Sequence, residues 1–342
     1  MADDRINTVS RALIETFVSK KLDDLKEDPD RGTRNLIDMA LNTTKGRFQK
    51  RFFLAARKMM ENPRIGYYHL IQDTVAYVDK KHLLNFGMNL GYNSLTAGAK
   101  IIREIEKEQG FNIPWVITLC VNGASYDRME PFYQDVIEQG KRLGVYSWII
   151  FALSGAEKPL SLIKNHPDCA FLLVTSPGEI TTGFLDSVGF LENLMLAVKY
   201  EPGREEIFTR MRRKRLLYSA CLFYGTEGIP EPEMEDCLLD TAQIHCTFTL
   251  FLPQSLPLGA KNSPVYEDVQ SLRNDQRYST IPFELWEDLR MIDGVISEDA
   301  CTVAFREDGS LYTEFCAFPE GTMNFCTQSL ASILKRGYPK IK

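Results

Sequence analysis

The stretch Ile113-Pro114-Trp115-Val116-Ile117-Thr118-Leu119-Cys120-Val121-Asn122-Gly123-Ala124-Ser125-Tyr126-Asp127 decides the fold. Its apolar, partly β-branched run over residues 116–121 is unbroken, which is typical of a strand buried on both faces of a parallel sheet. Ligands of such sheets bind at the carboxyl ends of the strands. The loop over residues 122–127 is therefore the first place where a functional site is expected.

Residues 5–110, before this strand, carry a helical pattern throughout. Apolar side chains recur at the spacing of one helix face, and Pro29, Pro63 and Gly110 separate the segments. Residues 49–60 predict one of about six helices, and the last is predicted from Ser94, as N-cap, to Gln109. We find no chemical motif in this helical N-terminal region.

After residue 112 the pattern changes to strand, loop and helix. Six strand–helix repeats indicate right-handed β-α-β crossovers and a parallel sheet. An open, partial barrel and a doubly wound sheet both fit this pattern. After Pro253 the repeat is predicted to stop; residues 283–288 predict a short helix, and Asp308-Gly309 predicts a β-hairpin between residues 301–305 and 311–315. The six predicted strands cover residues 116–121, 147–153, 170–175, 194–199, 217–223 and 247–252.

Composition and charge exclude several classes of protein. The formal net charge of −6 argues against a general nucleic-acid-binding protein. The basic cluster over residues 204–215 predicts a solvated helix face, with an anion or acidic-partner patch as the alternative. The start of the chain lacks the features of a secretory signal, and no apolar run approaches the ~20 residues of a membrane span. Together with eight scattered cysteines, this predicts a cytoplasmic protein with free thiols.

The common catalytic motifs are absent from the sequence. There is no G-x-x-x-x-G-K-[ST], G-x-G-x-x-G, G-x-S-x-G or H-E-x-x-H. The four histidines are dispersed, and no two cysteines have the C-x-x-C spacing, so no metal site is predicted. His245 precedes the sixth strand, at the amino end, where a structural role is expected.

Four short stretches, in this order, carry a resemblance to a known family. They are Ile113-Pro114-Trp115, His166-Pro167-Asp168-Cys169, Leu196-Ala197-Val198 and Arg306-Glu307-Asp308-Gly309-Ser310-Leu311 before Cys316. The chain resembles the radical S-adenosylmethionine proteins of anaerobic bacteria. The resemblance implies a partial TIM-like (β/α)6 barrel over residues 111–255, the helical N-terminal region over residues 1–110, and a SPASM-like α+β segment over residues 256–342.

The loop after the first strand departs from the family pattern. The family carries C-x-x-x-C-x-x-C there, and its three thiolates hold a 4Fe-4S cluster that cleaves S-adenosylmethionine. Residues 122–127 contain no cysteine, and Cys120 lies within the strand, where a buried small side chain is expected. The resemblance therefore implies a degenerate protein, a pseudoenzyme without the cluster.

Two further family elements are altered. The family's Gly-Gly-Glu-Pro turn, which meets the amino group of S-adenosylmethionine, corresponds to Ser154-Gly155-Ala156-Glu157-Lys158-Pro159. A degraded binding turn and an ordinary loop both fit this sequence. Lys199 stands where an acceptor for the ribose is expected. In the C-terminal segment, Cys301, Cys316 and Cys326 could hold a metal only if the fold brought them together.

Three hypotheses follow from these observations. The first is a non-catalytic partner or regulatory subunit, for example of an active paralogue. The second is a non-radical enzyme or binding protein that uses the barrel rim for S-adenosylmethionine or another small molecule. A scaffold whose helical region docks a partner helix is a third. The expected cofactor-binding residues are Asn122, Ser154, Gly155, Glu157, Thr175, Ser176, Lys199 and Tyr224, with Thr226 and Gln254 on the same rim.

Overall fold

A computed structural model describes residues 8–43, 50, 54, 57–58, 65–254, 263–297, 299–312 and 322–340. The fold is the predicted α/β class, a mostly parallel sheet in a partial TIM-like barrel with a helical N-terminal region. The helix predicted over residues 49–60 and the position of Cys316 fall largely or wholly outside the described residues. Within those residues, no helix combines the length and the apolar character needed to cross a bilayer.

Among its described residues, the helical N-terminal region has five α-helices and one π-helix. The predicted helix from Ser94 is wrong at its start, because Ser94 is buried inside the π-helix, where its hydroxyl accepts from Ser147 Oγ (2.9 Å). Gly110 ends the last helix at a φ of 73°, a left-handed conformation that glycine adopts without strain. The elements are α1 (Thr8–Glu27), α2 (Pro29–Thr43), α3 (Gly66–Tyr77), α4 (Lys80–Met88), the π-helix (Asn89–Gly98) and α5 (Ala99–Gln109).

The strands follow from runs of β-branched and aromatic residues, buried on both faces at their centres. They are β1 (Val116–Cys120), β2 (Ser147–Phe151), β3 (Ala170–Thr175), β4 (Leu194–Lys199), β5 (Tyr218–Tyr224), β6 (Phe248–Pro253), β7 (Ile281–Glu284), β8 (Val303–Phe305) and β9 (Leu311–Tyr312). The helices after β1 are α6 (Tyr126–Leu143), α7 (Leu160–Asn165), α8 (Thr182–Val188), α9 (Glu205–Arg213), α10 (Glu231–Gln243), α11 (Tyr266–Asp275), α12 (Leu285–Ser297) and α13 (Leu330–Gly337).

The parallel sheet is larger than the six predicted strands. Within the described residues its order is β7-β6-β5-β4-β3-β2-β1-β8-β9, and every pair is parallel except β8 with β9. The prediction that the repeat stops after Pro253 is wrong, because α11 leads into a further parallel strand, β7. The predicted short helix over residues 283–288 is wrong in its bounds, because residues 281–284 are strand. The predicted hairpin around Gly309 is present as β8 and β9, although β8 begins at residue 303 and residues 313–315 lie outside the described residues.

The sheet curls strongly about a concave inner face. A Cβ on Gly140 of α6 would lie 2.5 Å from the Trp148 ring, so Trp148 faces the outer helices. Because side chains alternate between the two faces of a strand, Phe151, three residues further on, faces inward. In the order above, β2 and β7 stand five places apart, about 24 Å in a flat sheet with ~4.8 Å spacing. Yet Trp286, two residues past β7, stacks on Phe151 with ring centroids 6.0 Å apart. The carboxyl ends of β2 and β7 therefore meet across a narrow barrel mouth.

The helical N-terminal region packs at the amino ends of the strands. Asn89 Nδ2 donates to the carbonyls of Pro167 (2.8 Å) and Cys169 (3.0 Å), and Asn93 Nδ2 donates to that of Asp168 (2.8 Å). These bonds hold the turn before β3, which contains part of the sequence that resembles the family. The carboxyl ends of the strands, on the opposite edge, carry the loops of the candidate site.

Candidate functional site

The loop after β1 is a tight turn that leads directly into α6. Asn122 Oδ1 accepts from Ala124 N (2.9 Å), Ser125 N donates to Asn122 O (3.1 Å), and α6 begins at Tyr126. The Asn122 amide donates outward to Glu307 Oε2 (2.9 Å). Asn122 is thus used to shape the turn and to join it to the β8–β9 hairpin.

Two glycines bring the loops after β1 and β2 into backbone contact. A Cβ built on Gly155 would lie 2.7 Å from Gly123 Cα, and one built on Gly123 would lie 3.0 Å from Gly155 Cα. Gly155 also has a φ of 69°, which L side chains rarely adopt. The space between these two loops is therefore occupied by the main chain itself, with Ser154 exposed beside it.

The hydroxyl side chains after β3 tie this strand to the loop after β2. Thr175, fully buried, donates to Ala152 O (2.8 Å), and Ser176 donates to Leu153 O (2.6 Å). Glu179, a few residues further on, also binds the loop after β2, since its Oε2 accepts from Ala156 N (3.0 Å). Both predicted site residues here form bonds that hold the rim together.

Glu157 and Lys199 are the charged members of the predicted set. Glu157 is exposed and accepts from Thr181 Oγ1 at 3.5 Å. Lys199, half-buried at the carboxyl end of β4, donates to Glu201 Oε1 (3.1 Å). Its positive charge lowers the pKa of the buried Cys221 thiol, but burial of that thiol raises its pKa by more.

Tyr224 belongs to a buried acidic cluster that the sequence did not indicate. Its hydroxyl donates to Glu284 Oε1 (2.6 Å) and lies 2.9 Å from Ser263 Oγ. Glu284 is 1% exposed, and burial raises its pKa to about 7. Asp288 accepts two bonds from the Arg273 guanidinium (2.9 and 2.8 Å). Of the two other predicted rim residues, Thr226 and Gln254 are both exposed.

The barrel mouth is bridged by aromatic side chains. Trp286, 8% exposed at the start of α12, stacks on the half-buried Phe151 at an interplanar angle of 22°. Two further inward-facing side chains at the carboxyl ends, Cys120 and Phe223, are half-buried. The concave face thus keeps some accessible apolar surface at the carboxyl ends of β1, β2 and β5.

The residues at the β1 loop do not fit a 4Fe-4S cluster. Cys120 is the one cysteine at this end of β1, and burial raises the pKa of its thiol to about 11, which disfavours the thiolate that binds iron. Cys301 is buried against Asp293, while Cys326 Sγ lies 3.8 Å from Asp308 O. Throughout the described ranges, no three His, Cys, Asp or Glu side chains are grouped so that they could hold a metal.

The structure joins the predicted residues in neighbouring groups along the rim. Asn122 lies beside Gly123, which is in contact with Gly155. Ser176 donates to the carbonyl of Leu153, the residue before Ser154. Tyr224 is instead directed to Glu284 of β7, which stands six places from β1 in the sheet order. The basic cluster on α9 is largely paired, since Arg212 binds Asp73 (2.6 Å) and Lys214 binds Asp186. His245, at the amino end of β6, also contacts Asp73 (3.2 Å).

Comparison with known proteins yields structural matches at low identity. No family model matches the chain, and no curated protein matches its sequence. Streptococcus suis SuiB bound to S-adenosylmethionine superposes with a TM-score of 0.49 at 9% identity, over 69% of this chain and 66% of that one. SuiB bound to its precursor peptide SuiA superposes with a TM-score of 0.49 at 9% identity, over 69% of this chain and 67% of that one. A further structure of SuiB superposes with a TM-score of 0.48 at 10% identity, over 84% of this chain and 76% of that one. At these TM-scores the likeness is one of general α/β architecture.

Proposed function

We propose that this chain is a radical-S-adenosylmethionine-like barrel protein that has lost cluster chemistry and works as a non-catalytic partner or regulatory subunit. The observation that carries the proposal is the contact between Gly123 and Gly155. In the family that the sequence resembles, the cluster loop and the S-adenosylmethionine turn follow the first two strands. Here those two loops touch through their main chains.

The aromatic stack across the barrel mouth supports the same proposal. The Phe151 and Trp286 rings occupy part of the space that a ligand on the inner face beside β1 would need, since Phe151 pairs with Cys120 in the sheet. Burial of such aromatic surface stabilises the closed arrangement by about 25 cal/mol per Å² of apolar area. A role that depends on the outer surface, such as binding an active paralogue in the cytoplasm, does not require that space.

Anaerobic reconstitution with iron and sulfide tests the loss of the cluster. We expect the absorbance and iron content of the reconstituted protein to fall to background after gel filtration. The matched control is Cys120→Ser, which removes the one cysteine next to the β1 loop. A stoichiometric 4Fe-4S signal that survives gel filtration in the wild type and is lost in Cys120→Ser would contradict the proposal.

The half-buried inner-face residues favour a second candidate function, the binding of a small molecule without radical chemistry. Cys120, Phe151, Lys199 and Phe223 leave a partly open surface that combines aromatic rings with a cation. A ligand present at a hundredfold excess over its Kd would stabilise the fold by about 2.7 kcal/mol. No change in unfolding with S-adenosylmethionine or S-adenosylhomocysteine would remove these two ligands from this second candidate.

A further inference from the structure

A cleft of about 180 Å³ lies at the amino ends of β3 and β4, on the edge of the sheet opposite the rim. Its walls are formed by Asn85 of α4, Lys164 at the end of α7, Pro167 before β3, and Phe190 and Glu192 before β4. An apolar cavity of about 150 Å³ is large enough to take up a benzene ring. The cleft therefore matches the size of one aromatic side chain.

Phe190 projects into solvent beside this cleft. Its side chain is 85% exposed, the largest value among the large apolar residues that the structure describes. The loop that carries it is nevertheless anchored, because Leu191 is buried and the buried Asn193 amide donates to the carbonyls of Ile163 (3.1 Å) and His166 (3.0 Å). An aromatic ring held in water by an anchored loop is a feature of protein contact sites.

The two charged residues of the cleft have no ion partner. Lys164 is exposed and, in the part of the chain that the structure describes, forms no ion pair or side-chain hydrogen bond. Glu192 accepts a hydrogen bond from the Asn85 amide, which is a neutral donor, and no cation among the same residues pairs with it. A cation and a carboxylate therefore lie in one cleft without neutralising each other.

These features make the surface complementary to itself. In a contact with two-fold symmetry the same patch is present on both sides, so two residues that meet once across the axis meet a second time in the reverse order. Each copy could then place its Phe190 ring in the cleft of the other copy, while each lysine faced a glutamate. A partner that carried only one sign of charge would leave either Lys164 or Glu192 without a counter-charge.

We propose that this face is the interface of a homodimer, in which Phe190 of each copy fills the cleft of the other and Lys164 pairs with Glu192 of the partner subunit. The proposal goes beyond the function proposed above and does not depend on it, because the cleft and the rim loops lie at opposite edges of the sheet. The partner is a second copy of this chain.

Sedimentation velocity of the full chain over a range of concentrations tests the dimer. We expect the wild type to change from monomer to dimer as the concentration rises. Phe190→Ser should weaken the association by at least about tenfold, because an aromatic residue at the centre of an interface carries much of the binding energy. Leu239→Ser on α10 changes another exposed apolar side chain, at 48% exposure, and should associate as the wild type does.

Reversal of the charges tests the pairing itself. Lys164→Glu would place two carboxylates opposite each other at both ends of the contact, and Glu192→Lys would place two cations there, so each should weaken association by at least about tenfold. The double variant restores opposite charges and should recover most of the wild-type affinity. Lys335→Glu on α13 makes the same change of charge at another exposed position and should leave association unchanged.

Urea denaturation of each variant separates lost association from lost folding. A wild type that stays monomeric at every concentration would overturn the proposal. The same holds for a dimer that Phe190→Ser leaves intact, and for a folded double variant that associates as weakly as the two single variants.

Discussion

Gly155 occupies the point where the first two rim loops meet, and a single methyl group there should be costly. Gly155→Ala would force a φ of 69° on an L residue and place Cβ 2.7 Å from Gly123 Cα. We expect a loss of about 2–4 kcal/mol in the free energy of unfolding, measured by urea denaturation. The control is Gly178→Ala, whose Cβ would meet open space, with an expected change within about 0.5 kcal/mol. Equal stability of the two variants would contradict the close contact.

Asp293 should make the stability of the fold depend on pH. It is fully buried, and burial raises its pKa to about 8 although Trp115 N and Cys301 N donate to it. Folding therefore favours its protonated form, and the resulting stabilisation, complete below the unfolded pKa of about 4, is lost as the pH rises through about 8.

Denaturation of Asp293→Asn across this range checks the effect. We expect the wild-type unfolding free energy to fall by up to about 1.4 kcal/mol per pH unit from this group, and the variant to lose that slope. Asp299→Asn, at an exposed position nearby, is the control. A slope that is the same in Asp293→Asn as in the wild type would assign the pH dependence to other groups.

At the scale of single residues, the sequence indicated which side chains lie on the rim but not what they bind. Thr175 and Ser176 follow a strand and are polar, which places them at its carboxyl end. Their hydroxyls donate to carbonyls just after the end of β2. The spacing of residues in the sequence does not predict these contacts, because they depend on how close the two strands lie in the fold. Trp286 and Glu284 were missed because they come from a segment more than a hundred residues away from the β1 loop, and no local pattern marks them.

Among the elements, the π-helix should govern how the helical N-terminal region is attached to the barrel. Asn93, 1% exposed, donates to Asp168 O (2.8 Å) and to Asn89 Oδ1 (3.0 Å). Asn93→Ala removes the side-chain donor to the Asp168 carbonyl and one of the two donors to Asn89 Oδ1, at a cost of about 1–3 kcal/mol. Faster hydrogen exchange over residues 89–98 should accompany this cost.

The exposed Gln109→Ala at the end of α5 is the matched control for this variant. It changes a side chain on the same helical segment without touching the barrel, so it should leave the exchange of residues 89–98 unchanged. Unaltered protection of these residues in Asn93→Ala would mean that other contacts carry the attachment.

The elements that were predicted well are those with a strong local signal. The first six strands are long apolar runs between turn residues, and Asp308-Gly309 marks the hairpin with a glycine at a φ of 85°. β7 was not predicted because it has only four residues and one of them is Pro282, which weakens the sequence signal of a strand. It lies at the edge of the described sheet and pairs with β6 alone. The π-helix was taken for an α-helix because both present similar apolar faces.

For the molecule as a whole, the proposed boundary at residue 110 can be tested by truncation. Inner-face residues Met195 and Leu217 are 6% and 4% exposed, and they pack against Val78 of the helical region. Removing residues 1–110 would uncover this apolar surface. We expect residues 111–342 alone to bind a hydrophobic fluorescent dye and to unfold at a lower urea concentration than the full chain. Cooperative unfolding at an unchanged midpoint would instead define the barrel as an independent domain.

The account of the whole molecule rests on the claim that the closed β1 and β2 loops leave no site for radical chemistry. The most direct measurement is reductive cleavage of S-adenosylmethionine by the reconstituted chain under anaerobic conditions, with a strong one-electron reductant. The account predicts that product formation equals that of a protein-free mixture of iron, sulfide and reductant. Cleavage above that level that scales with protein concentration and is abolished in Cys120→Ser would contradict it.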